Sequence, residues 1–164
     1  MSTKTDYTPE EWNTVLAAPY FAAILIVVSD MNFAFFKELA ALSKAIMASG
    51  VESESDLIKA IALDFTSKET QEELKPELEK IQSHKDPEKV VGAMLDNITS
   101  AADLVTSKSI EDGETYRKWL VYLAQATAEG SKEGGFLGFG AVRVSEREQY
   151  ALDQLAIRLG VTEE

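Results

Sequence analysis

Apolar side chains recur every three or four positions along most of this chain, and no run of four to eight residues alternates polar and apolar between turn signals. That pattern predicts helices and no strand. Thr8-Pro9-Glu10-Glu11 has the form of a capping box with proline at the first helical position, where a missing N–H leaves nothing unpaired. Trp12, Val15 and Leu16 follow on one helical face. Pro19 is expected to break or kink this helix, with Tyr20 to Asp30 continuing it as an apolar segment. Beyond Met31-Asn32, the spacing of Phe36, Leu39, Leu42, Ser43 and Ile46 predicts a helix that runs to Gly50 as its C′ residue.

Ser53-Glu54-Ser55-Asp56 opens a short helix with Leu57, Ile58, Ile61 and Phe65 on one face. Thr66-Ser67-Lys68-Glu69 reads as another capping box. The charged helix it starts carries Leu74, Leu78 and Ile81 on a narrow stripe, meets Pro76, and ends near Ser83-His84-Lys85. Asp86-Pro87 begins a strongly amphipathic helix through Val90, Met94, Ile98 and Val105 to about Ser107. A further helix is expected over Glu114 to Glu129, followed by a loop at residues 130–140 with five glycines in eleven positions. Ser145-Glu146-Arg147-Glu148 caps a last helix whose Ala151, Leu152, Leu155, Ala156 and Leu159 share a face and which Gly160 closes. The expectation is a single all-α domain over residues 1–164, a compact bundle of about seven helices.

Composition narrows the chemistry. The chain has no cysteine and one histidine among 164 residues, which removes disulfides, thiolate zinc and thiol nucleophiles and leaves too little imidazole for a zinc or iron site. The 28 acids against 16 bases give a net charge of −12, which opposes binding to nucleic acid or an anionic membrane surface. The most apolar run, residues 17–28, is shorter than the ~20 residues a membrane-spanning helix needs, and no basic and apolar leader pattern opens the sequence. A cytoplasmic protein without membrane insertion is the expectation.

A pattern recurs within the chain. Glu38, Ala41, Leu42, Gly50 and Val51 stand at the same offsets as Glu148, Ala151, Leu152, Gly160 and Val161. Each segment follows an apolar helix running from a large ring to a small residue and an acid, Tyr20 to Ser29-Asp30 and Trp119 to Ala128-Glu129. This suggests two related helix–loop–helix halves with residues 53–108 inserted between them. Two unrelated amphipathic helices that end in glycine would match at several of the same positions.

Val28-Ser29-Asp30 with Lys37-Glu38-Leu39, and Ala128-Glu129-Gly130 with Val144-Ser145-Glu146-Arg147-Glu148, resemble the TerB-like family associated with tellurite resistance. The resemblance covers about 75 residues and leaves out the middle third of the chain. The family's signature is Ala-Asp-Gly followed within several residues by Glu; here Met31 stands in place of the glycine and Glu129 in place of the second aspartate. What the resemblance implies is a compact helical protein of two related halves, a non-enzymatic role in stress response, and acids that hold a divalent cation, Ca²⁺, Mg²⁺ or Mn²⁺.

The corresponding metal ligands are Asp30, Glu38, Glu129 and Glu148. The same acids have a structural reading, since carboxylates near helix N-termini offset the helix dipole and Glu148 completes the Ser145 capping box. Phe136, Leu137 and Phe139 in the glycine-rich loop offer an alternative function, an apolar contact through which the chain dimerises or docks a protein partner. Gly138-Phe139-Gly140 matches no phosphate-loop motif, and Ser145 and His84 have no partners for nucleophilic catalysis nearby in sequence, so an enzyme is not expected. The charges from Lys68 to Lys80 read as a solvated face in which Glu73 and Glu77 oppose each other.

Overall fold

Residues 2–30, 35–68, 70, 72, 76, 86–130 and 144–161 are described by the computed structural model, and all regular structure among them is helical. A 3₁₀ turn at Lys4–Asp6 precedes α1 (Pro9–Asp30), α2 (Phe35–Glu52), α3 (Asp56–Phe65), α4 (Pro87–Lys108), α5 (Ile110–Gly130) and α6 (Glu146–Leu159). Six α-helices are thus defined among the described residues. The charged helix expected between Thr66 and Lys85 falls largely outside them.

α1 is the axis of the molecule. An ordinary surface helix buries one stripe. Here Val15 to Ala18 and Phe21 to Ile26 are buried without interruption, so every side of the helix is covered. α4, α5 and α6 pack along it, with α2 and α3 against the same helix. The apolar run read from the sequence is therefore a core helix, and no helix among the described residues is long and apolar enough to cross a membrane.

The caps at Thr8, Asp86 and Ser145 fall where the sequence places them. The Thr8 amide donates to Glu11 at 2.8 Å while Thr8 Oγ1 accepts from the Glu11 amide at 3.2 Å. Ser55 and Asp86 accept from Ile58 and Glu88, and Ser145 and Glu148 exchange the two bonds of a capping box. Gly160 closes α6 with φ of 65°, a left-handed conformation that suits glycine.

Four local expectations are corrected. Pro19 neither ends nor divides α1, which continues to Asp30. The carbonyl that residue 19 would bond in a regular helix is that of Val15, and the Tyr116 hydroxyl of α5 donates to it at 2.6 Å instead. Gly50 does not terminate α2, which extends to Glu52; a Cβ at Gly50 would overlap the Cβ of Ala62, so glycine is there to let α2 approach α3. The cap after α3 is Ser67, whose Oγ accepts from the Thr70 amide at 3.1 Å, while Thr66 Oγ1 donates back to the Leu63 carbonyl. α5 begins at Ile110, four residues before the expected start. Ser109 Oγ accepts from the Asp112 amide, and glycine at 113 lets the first turn of α5 pack on Thr106.

The two copies of the sequence pattern differ at their glycines and agree at their rings. Gly50 lies within a helix and Gly160 caps one, and the matched rings Tyr20 and Trp119 both stand inside longer helices.

Polar side chains tie the layers together. Trp12 Nε1 donates to Asp64 at 2.8 Å, and Lys4 pairs with the same carboxylate at 2.5 Å. Trp119 Nε1 donates to Ser49 Oγ of α2 at 2.8 Å. Arg117 bonds Asp103 of α4 at 2.6 Å and the terminal Leu159 carbonyl of α6 at 3.1 Å, joining three helices through one guanidinium.

Candidate functional site

Of the four acids singled out as cation ligands, Asp30 is the last residue of α1 and Glu38 lies in the first turn of α2, with residues 31–34 between the helices. Their side chains lie outside the described residues. Glu129, near the end of α5, is exposed and accepts from Gln125 at 3.5 Å. Glu148 is buried, and its Oε2 is taken up by the Ser145 amide at 2.7 Å. Its role in the capping box is thus visible in the geometry. Among the described residues no three His, Asp or Glu side chains converge as a metal site would require. Phe136, Leu137, Phe139, Gly138, Gly140 and His84 lie outside the described residues.

The described residues do form a groove between α5 and α6. On α5, Lys118, Val121, Tyr122, Gln125 and Glu129 recur at helical spacing and make one wall. On α6, Gln149, Leu152, Asp153, Ala156 and Ile157 make the other, with Val144 and Val161 also lining it. The groove encloses about 710 Å³. The apolar character of the α6 wall comes from two sources. Leu152 belongs to the core face of α6 and is buried, whereas Ile157 lies off that face and is 70% exposed. Tyr122 faces it from α5 at 53% exposure. Glu129, Asp153 and Lys118 are the charged groups along the walls.

A second recess of about 800 Å³ lies on the other flank of α6. Leu25, Val28, Val91 and Leu95 form its apolar part, with Tyr150, Glu88, Glu146 and Arg147 also lining it. Two of its three charged lining groups are carboxylates.

The sequence does not single out Tyr122 or Val121. A usable signal existed for Ile157: it is the one large aliphatic residue of the last helix that falls off the stripe of Ala151, Leu152, Leu155 and Leu159.

Comparison of the chain with models of known protein families, with curated proteins and with solved structures finds no match.

Proposed function

We propose that this chain is a non-enzymatic helical binding protein, of the stress-response kind that the TerB-like resemblance implies, and that it engages a protein partner through the groove between α5 and α6. The pairing of exposed Tyr122 and Ile157 across an apolar recess carries this reading. Large apolar groups left in water gain on burial, and tyrosine is favoured at interfaces because its ring is apolar while its hydroxyl stays wet. Glu129 and Asp153 against Lys118 leave the walls net acidic, and with the net charge of −12 they favour a partner whose docking face carries lysine or arginine around an apolar centre.

The test is capture by the wild-type protein and by a Tyr122→Ser, Ile157→Ser variant in parallel. Both positions are exposed, so the variant should keep its stability to within roughly 0.5 kcal/mol per site. A partner retained by the wild type and lost by the variant supports the reading. A partner held equally by both places binding elsewhere. Light scattering on the same two proteins distinguishes a second copy of this chain from a different partner.

A second reading is a divalent cation, Ca²⁺, Mg²⁺ or Mn²⁺, held at the α1–α2 connection. It is favoured by Asp30 as the last residue of α1 and Glu38 in the first turn of α2, with seven residues between them along the chain. Thermal unfolding of chelator-treated protein with each cation tests it, since binding to the native state alone stabilises by about 2.7 kcal/mol at a hundredfold excess over Kd. A cation-specific rise in Tm that an Asp30→Asn, Glu38→Gln variant loses supports the site; an equal rise in both proteins removes it.

A further inference from the structure

We infer that Pro19 and Tyr116 act together as a register pin, setting the rotation and axial position of α5 on the central helix and hence the placement of the groove wall that α5 carries. Proline lacks the N–H that an α-helix would direct at the Val15 carbonyl, so this acceptor must find a donor outside its own helix. Val15 and Tyr116 are both fully buried, and the phenolic hydroxyl meets the carbonyl at 2.6 Å. Water does not reach either group in the packed core.

The consequence is geometric. Turning α5 by one residue rotates Tyr116 about 100°, and sliding it by one turn moves the hydroxyl about 5.4 Å. Either displacement leaves a buried carbonyl with no partner, an arrangement that costs more than an ordinary hydrogen bond returns. One turn along, Trp119 is fixed to Ser49 of α2, with its ring 6.1 Å from that of Tyr116. Two neighbouring turns of α5 are therefore bonded to two different helices. Val121, Tyr122, Gln125 and Glu129 continue from those turns and inherit the placement. The pin stands on the packing alone; only its relevance to partner binding rests on the proposed function.

A double-mutant cycle over Tyr116→Phe and Pro19→Ala tests it by urea unfolding. In the Pro19 parent, Tyr116→Phe is expected to raise the unfolding constant about tenfold, because it orphans the Val15 carbonyl. In the Pro19→Ala parent the alanine N–H takes that carbonyl, and the same change is expected to cost about twofold or less. Equal costs in both parents would overturn the inference. Should Tyr116→Phe fail to fold by itself, recovery of a folded protein on adding Pro19→Ala supports the pin and failure of the double variant to fold sinks it. The amide resonances of Tyr122 and Gln125, beyond the substituted turn, are expected to move in any folded protein carrying Tyr116→Phe; unchanged resonances would refute the placement of the groove wall.

Discussion

Three helical glycines behave differently because of what faces them. An added Cβ at Gly50 would overlap Ala62, and one at Gly113 would come within 2.7 Å of the Thr106 Cα, whereas Gly92 has nothing within 4 Å. Gly92→Ala is therefore expected to stabilise the protein by about 0.5–1 kcal/mol through helix propensity alone. Gly50→Ala and Gly113→Ala should each cost about 1–3 kcal/mol, since the helices must separate. Urea midpoints of the three variants check the opposed signs. Gly50 has the sequence signature of a helix end because the residue that requires it, Ala62, belongs to a different helix. Asp112 supplies a second expectation at this scale. Burial acts most strongly on its carboxyl and pushes it up, but hydrogen bonds from the Ser2 amide and hydroxyl and from Ser109 together outweigh burial and hold it below the ordinary 3.8. A depressed carboxyl stabilises the fold at pH values above its unfolded value, and that contribution fades as pH falls through the folded one. Asp112→Ala should lose about 1.5–3 kcal/mol at neutral pH, with the gap from wild type closing below about pH 3.8. Unfolding curves across pH 2–7 would show a gap that stays constant if this account is wrong.

Helix starts were the most legible feature at the scale of elements, because each is written in adjacent residues. The Thr8, Ser55, Asp86 and Ser145 caps lie next to the helices they open. What the sequence concealed were the elements decided at long range. α1 passes through Pro19 with its freed Val15 carbonyl taken by Tyr116, 101 positions from Val15. The early start of α5 is hidden for a local reason instead, since Ser109 caps it immediately after α4 ends, with no loop signal between them. Arg117 illustrates how elements are then held: one side chain reaches an acid on α4 and the end of α6. Arg117→Met keeps much of the aliphatic stem and removes these bonds together with a longer one to Thr106 Oγ1, and an expected loss of about 1–2 kcal/mol follows. A Tm unchanged within error would mean the guanidinium contributes packing only.

For the whole molecule, charge is the property that reaches furthest. At −12 the folded chain repels itself, and screening shortens the reach of that repulsion to about 8 Å at 0.15 M salt. Tm is expected to rise as monovalent salt increases from roughly 0.01 M to 0.15 M and then to level off, which differential scanning calorimetry measures directly. A cation effect at the α1–α2 connection must exceed this background at matched ionic strength. The all-helical class was open to sequence reading because periodicity is a local property. The groove was not, since Val121 and Leu152 carry the same apolar signature as core residues, and only the packed arrangement shows which of them meet exposed Tyr122 and Ile157.

The covering of α1 on all sides has a temporal meaning. Its main neighbours, α4 to α6, come much later in the chain. A ribosome adding about 5–20 residues per second would deliver the end of α5 roughly 5–20 s after α1. Until α4 follows, roughly 4–16 s after α1, this most apolar of the described helices has only α2 and α3 among them to bury against. A nascent chain of this design depends on being shielded, and its yield on expression should be more sensitive to chaperone supply than the stability of the finished fold would suggest.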